Sequence, residues 1–170
     1  NTIDPFLEEQ VSRGHFAGKG DVDVHYAWCL PDTPRSTIVI SSGRIESYLK
    51  YKELVFDLYQ NGFDVFILDH RGQGLSGRMT YDPQHGYVAH FDDYVDDLVY
   101  FTQNIVVPKQ QGRLQLLCHS MGGAIGALTL LRLPTLFSKA VLASPMFGIK
   151  PALPNWLANS LITAGLAVNK

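Results

Sequence analysis

The sequence predicts an α/β protein with a mostly parallel sheet and flanking helices. Three observations predict it. Short apolar runs of buried-strand type recur at residues 37–41, 63–68, 114–118 and 139–143. Segments with a helical spacing of apolar residues lie between them. Strong stops separate the two kinds of text, such as Asn61-Gly62 after the first helical segment and Pro108 with Gly112 after the second. Strand and helix in alternation read as βαβ units, and ligands of such a sheet gather at the carboxyl ends of its strands.

In chain order, residues 10–16 and 21–30 read as an antiparallel hairpin. Val22, Val24, Tyr26 and Trp28 alternate along the second strand, Gly18 and Gly20 supply the turn, and Pro31, Asp32 and Pro34 end it. The β-branched run at 37–41 leads into the loop Ser42-Gly43-Arg44. A helix over 47–60 follows, with Tyr48, Tyr51, Leu54, Val55 and Leu58 on one face. The strand at 63–68 runs into a polar, glycine-rich loop from Asp69 to Gly77. Residues 78–90 show no period and read as loop. A helix over 92–107 carries its acids in the first half, where the dipole favours them. Strand 114–118, helix 122–133 and strand 139–143 complete the alternation. After Ser144-Pro145 come Pro151 and Pro154, then Leu157, Leu161, Ala164 and Val168 at the spacing of an amphipathic helix.

The bulk properties restrict the function. A chain of 170 residues, 46% hydrophobic and 18% charged, fits one domain of globular composition. The net charge of -2 hides an asymmetry: all 16 acidic residues lie between Asp4 and Asp97. No basic run is dense enough for nucleic acid. Cys29 and Cys118 have no metal-type spacing and read as buried thiols. No stretch reaches the roughly 18 consecutive apolar residues of a membrane span, and no signal peptide is visible.

The chemistry centres on residues 114–126, LQLLCHSMGGAIG. A serine between a strand and a helix has its hydroxyl exposed at the sheet's edge, with helical N–H groups pointing at whatever reacts there. This is the mechanical content of the G-x-S-x-G elbow, here Cys118-His119-Ser120-Met121-Gly122 with a small Cys at the first Gly. By itself the run also fits a serine that N-caps a buried helix. As a nucleophile Ser120 needs two backbone donors for the oxyanion. The N–H of Met121 is one, and that of Arg44, after Gly43 in the loop that follows strand 37–41, is the other. His119 should face away from Ser120. Gly72-x-Gly74-x-x-Gly77 matches a dinucleotide fingerprint but opens no helix, so it reads as a turn. His85, His90, Asp92 and Asp93 meet no familiar ligand spacing and read as a loop entering a helix.

Together three motifs resemble one family: Ser41-Ser42-Gly43-Arg44, Asp69-x-Arg71-Gly72-x-Gly74-x-Ser76 and His119-Ser120-Met121-Gly122-Gly123. They are similar to the α/β-hydrolases, and more narrowly to the branch of monoacylglycerol lipases and bacterial lysophospholipases. The resemblance implies an α/β-hydrolase-type sheet, a core over 1–144 and the start of a helical cap over 145–170. It implies hydrolysis of the acyl ester of a lysophospholipid through an acyl-enzyme on Ser120, with monoacylglycerol or another carboxylic ester as the alternative substrate. It implies no metal or cofactor. It also implies a cytoplasmic location with peripheral contact to the inner membrane through the cap. A non-catalytic α/β binding module is the alternative of another class. In this fold the triad runs Ser, then Asp or Glu, then His. After Ser120 the chain holds none of these three, and all six histidines lie at or before position 119. The acid and the base are therefore expected past Lys170, in the C-terminal part of the fold, and this chain alone is expected to turn over little ester.

Overall fold

The computed structural model describes residues 2–148. Its centre is a six-stranded sheet in the order β1-β2-β4-β3-β5-β6. The strands are β1 (Ser12–Ala17), β2 (Asp23–Cys29), β3 (Ser36–Ser41), β4 (Phe63–Leu68), β5 (Leu114–His119) and β6 (Lys139–Ala143). β1 and β2 form the antiparallel hairpin and join β4 antiparallel. β4, β3, β5 and β6 run parallel to one another. The helices are α1 (Ile3–Glu9), α2 (Lys52–Gln60), α3 (Asp92–Phe101) and α4 (Met121–Arg132).

Alternation along the central strands distributes their side chains to two cores. Val39, Phe66, Leu68 and Leu116 pack with Leu98, Phe101 and Ile125 on the α3–α4 face. Ile38, Ile40, Val65 and Ile67 pack with Phe6, Leu7 and Val55 on the α1–α2 face. Both faces are covered, which is why these strands read as continuous apolar runs.

Three local differences from the sequence expectation have physical reasons. α1 is a short helix of about two turns whose Phe6 packs edge-on against Phe56, and seven residues are too few for a periodic signal. The helix expected from 47 begins as a 3₁₀ turn (Tyr48–Tyr51) before α2. The helix expected over 92–107 is α3 continued by a π-helical turn (Thr102–Val106). The amphipathic helix expected over 157–168, and most of the cap span 145–170, lie outside the described residues.

The topology makes a switch point. From β3 the chain crosses to β4 on one side, then returns past β3 to β5 on the other. The loops after β3 and β5 therefore diverge at adjacent strand ends, where open parallel sheets bind ligands. The register pairs Ser41 with Cys118, so Gly43–Arg44 and Ser120 leave the sheet side by side.

Candidate active site

Ser120 stands at the corner between β5 and α4 with φ 52 and ψ −117. That left-handed conformation is costly for a residue with a Cβ and persists only where the surroundings enforce it. Here they do. Its N–H donates to Ala143 O at 3.0 Å, and its carbonyl accepts from Gly123 N and Met146 N, both at 2.9 Å. Two glycines allow the tight corner. A Cβ on Gly122 would collide with the carbonyl oxygens of Ser41 and Ser42, and one on Gly123 would press on Pro145 at 2.7 Å. A third, Gly126, explains Cys118 at the usual glycine position: a Cβ there would overlap the Cys118 sulfur. The sulfur occupies space that the helix leaves open, and burial pushes the thiol up to about 12, far from a reactive thiolate.

Ser120 is half-buried, and its hydroxyl has no hydrogen bond among the described residues. The N–H groups of Met121 and Arg44 likewise donate to nothing among the described residues. His119 faces elsewhere. Its Nδ1 lies 3.3 Å from Glu46 Oε2 and 3.4 Å from the Tyr51 hydroxyl. No histidine of the described residues bonds Ser120 Oγ.

The loop after β3 is held from both sides by residues that sequence reading did not single out. Gln73 reaches back across it: Ile45 N–H donates to Gln73 Oε1 at 3.0 Å, and Nε2 donates to Gly43 O at 2.7 Å and Glu46 O at 2.9 Å. The Glu46 carboxylate accepts from Gly43 N–H (2.6 Å), the Tyr51 hydroxyl (2.6 Å) and Lys50 Nζ (3.0 Å). Burial pushes the Glu46 pKa up, but the Tyr51, Lys50, Gly43 and His119 bonds outweigh it and hold the group at about 2. Between these clamps Ile45 is forced to φ 58, an outlier for a β-branched residue. The sequence signal for Glu46 was its i,i+4 spacing to Lys50. Gln73 had none beyond its place in the glycine-rich loop.

That loop is built around Asp69. The buried carboxylate accepts Tyr48 N–H at 2.6 Å and Leu75 N–H at 2.8 Å, and a Cβ on Gly74, at φ 55, would strike it. Gly72 N–H closes on Gly77 O at 2.9 Å, and residues 78–91 form no helix, so the glycine triplet is a turn without the helix a dinucleotide site needs. Arg71 forms a bidentate pair with Asp97 at 2.6 and 2.7 Å, tying the loop to α3. His70 is fully buried against Ser41 Oγ at 3.0 Å, and burial pushes its pKa down to about 4.

Ser120 lines neither of two recesses, one at the loop after β3 and one along α4. One, of about 560 Å³, lies between Arg44, Gln73, Arg78 and Tyr94. The other, about 480 Å³, is an apolar groove of Phe91, Ala127, Leu131 and Phe147.

A serine at a positive-φ corner, unpaired N–H groups on adjacent strand ends and a mostly parallel sheet define an α/β-hydrolase. Solved structures agree: the chain superposes on potato epoxide hydrolase I with a TM-score of 0.66 at 21% identity, over 90% of this chain and 46% of that one. Residues 32–169 match the family described as Serine aminopeptidase, S33, and the chain belongs to it. Within that family it is similar to Lysophospholipase L2 of Escherichia coli K12, 44% identical over 95% of this chain and 48% of the relative. It is also similar to rat monoglyceride lipase, 33% identical over 73% of this chain and 39% of the relative. The chain thus spans about half the length of the curated relatives it matches.

Proposed function

We propose that this chain carries the nucleophile and the oxyanion donors of a serine hydrolase that cleaves the acyl ester of lysophospholipids. The observation that carries the reading is the corner itself: Ser120 at φ 52, with the N–H groups of Met121 and Arg44 unpartnered among the described residues. Ser120 Oγ attacks the ester carbonyl and loses its proton to a base. The two N–H groups stabilise the tetrahedral oxyanion. Collapse expels the glycerol-side alcohol, protonated by the base, and leaves an acyl-enzyme that water then cleaves. The base and the carboxylate that orients it are assigned to sequence past Lys170. Support comes from the triad order of this fold, from the lack of His, Asp and Glu after Ser120 and from relatives twice as long.

Monoacylglycerol is the second substrate, on the similarity to monoglyceride lipase. The substrates are amphiphiles, and the cap span 145–170 is assigned to peripheral contact with a membrane surface on the cytoplasmic side. Among the described residues no helix is long and apolar enough to cross a membrane.

The test is fluorophosphonate labelling of the full-length protein, located by mass spectrometry. Modification on Ser120, abolished in Ser120→Ala, is expected. A folded full-length protein that does not label there refutes the reading in favour of a non-catalytic module. Ester hydrolysis by residues 1–170 should fall far below the full-length rate. Equal rates would instead point to a base upstream of Ser120, where His119 already pairs with Glu46.

A further inference from the structure

The recess beside Arg44 has a charge pattern that the ester chemistry does not require. Two guanidiniums, Arg44 and Arg78, line it, and neither pairs with a carboxylate among the described residues. Arg78 spends its N–H groups on backbone carbonyls: Pro83 O and Gly74 O at 3.0 Å, and Ser76 O. This fixes the loop without an ion pair, and the buried Asp69 carboxylate feels the charge only through space. The Arg44 guanidinium makes no hydrogen bond at all among the described residues. It lies against Gly86, where a Cβ would stand 3.4 Å from Nη2. Glu46 is the one carboxylate in the lining, and Lys50, Tyr51, Gly43 and His119 already surround it. Tyr94, buried in the same lining, has a hydroxyl with no partner among the described residues.

We infer that this recess is a phosphate subsite, with the Arg44 guanidinium binding the phosphodiester of the monoacyl phospholipid. The inference rests on the hydrolase reading for the placement of the ester. It follows from reach. In a 1-acyl lysophospholipid the phosphorus is as many covalent bonds from the ester carbonyl carbon as an arginine's guanidinium carbon is from its own backbone nitrogen. Arg44 can therefore meet both ends of one substrate, the developing oxyanion through its N–H and the phosphate through its side chain. A planar guanidinium suits a phosphate's paired oxygens, and the Tyr94 hydroxyl is free to donate to a third. A monoacylglycerol has no group for this recess, so the subsite distinguishes the two substrates that the relatives' names suggest.

The test uses the full-length protein, with kcat/KM measured for a 1-acyl lysophosphatidylcholine and for the 1-monoacylglycerol of the same acyl chain. Arg44→Gln keeps the backbone N–H and removes the charge. It should lower the ratio of the two kcat/KM values by about tenfold or more, chiefly through KM, as expected for a lost charge-assisted hydrogen bond. Arg44→Lys should recover part of the ratio. In parallel, calorimetry on the Ser120→Ala protein reads binding of glycerophosphocholine and of inorganic phosphate without any turnover. Glycerophosphocholine binding that weakens in the Arg44→Gln background supports a headgroup site. A ratio unchanged within about twofold in a folded Arg44→Gln protein overturns the subsite. So does a site that takes inorganic phosphate but not glycerophosphocholine. Should the parent hydrolyse neither ester, the hydrolase reading fails, while Arg44-dependent glycerophosphocholine binding would still uphold the subsite.

Discussion

Gln73 touches no reacting atom in the proposed chemistry, yet its loss should reduce turnover. It is a positioning residue for the Arg44 N–H. Its side chain makes three hydrogen bonds to the loop after β3, and it is the sole partner of the Gly43 and Glu46 carbonyls among the described residues. Gln73→Ala removes all three. At about 1 kcal/mol net per bond, and with water able to enter from the adjoining recess, the stability cost should be about 1–3 kcal/mol. The catalytic cost has another origin. Ile45 at φ 58 stores about 1–3 kcal/mol of backbone strain that Gln73 enforces. Without the clamp the loop relaxes, and a bias of about 2 kcal/mol leaves roughly one loop in thirty with Arg44 N–H in place.

Losing an oxyanion donor outright costs about 10²–10³ in kcat, so partial loss should lower kcat by about 10- to 100-fold. KM should stay within about threefold, because the donor acts mainly in the transition state. Fluorophosphonate labelling of Ser120 should slow by a similar factor. Gln73→Glu sharpens the test. It keeps the acceptor for Ile45 N–H but turns a carboxylate oxygen toward two carbonyls, so it should be no better than alanine. A folded Gln73→Ala enzyme whose kcat lies within about threefold of the parent would refute the reasoning. Either the clamp is dispensable or Arg44 N–H is not a donor.

The remaining expectations concern the corner and its buried titratable groups. Gly126→Ala should destabilise by about 1–3 kcal/mol through overlap with the Cys118 sulfur. In a Cys118→Ala background the nearest obstacles are Leu116 Cδ2 at 3.3 Å and the Cβ of residue 118 at 3.5 Å, so denaturant unfolding should show a coupling of about 1 kcal/mol, and strict additivity would refute the packing account. His70 is held near 4 against an ordinary 6.5, so the unfolded chain takes up its proton first, and stability should fall by about 3 kcal/mol as pH drops from 6.5 through 4. Unfolding curves across that window should be flatter for His70→Gln. Glu46 is held at about 2 against 4.5, so its contribution is full above 4.5 and is lost as pH falls toward 2; Glu46→Gln should remove that limb and lower stability at neutral pH, and an unchanged acid limb would contradict the cage around Glu46.

β3 and β4 are buried along nearly their whole length, so their apolar runs had one reading. β5 alternates buried and half-buried residues, and β6, found at its observed bounds, is mostly exposed; both were legible from their short apolar text between helical segments. The Ser120 corner was legible only beside the other two motifs, since its own text also fits a serine that N-caps a buried helix. Gln73 and Glu46 were not legible. Gln73 acts on Gly43 across 30 residues of sequence, and Glu46 acts on Gly43 only 3 residues away, but neither residue type announces a loop clamp. Nor does β-branched Ile45 announce a left-handed conformation, since local preference opposes it and only the clamps impose it. The same holds for the π-helical turn after α3, which a periodic pattern cannot separate from α-helix.

The strained corners share a location. Of the four non-glycine residues at positive φ among the described residues, Ile45, Ser120 and Ser144 follow β3, β5 and β6, adjacent parallel strands at one end of the sheet. Strain at one site requires a partner that prevents its release. Ile45 is held by Gln73 and Glu46, and Ser120 by the Ala143 carbonyl on one side and the Gly123 and Met146 N–H groups on the other. Ser144 lies in the chain between Ala143 and Met146, two of those anchors, so the end of β6 belongs to the corner as much as β5 does. The apolar strand text fixes where these loops leave the sheet. The polar clamps fix which backbone N–H groups remain unpaired when they do. An alignment of apolar runs finds the first and is blind to the second, and the chemistry proposed for Ser120 depends on both.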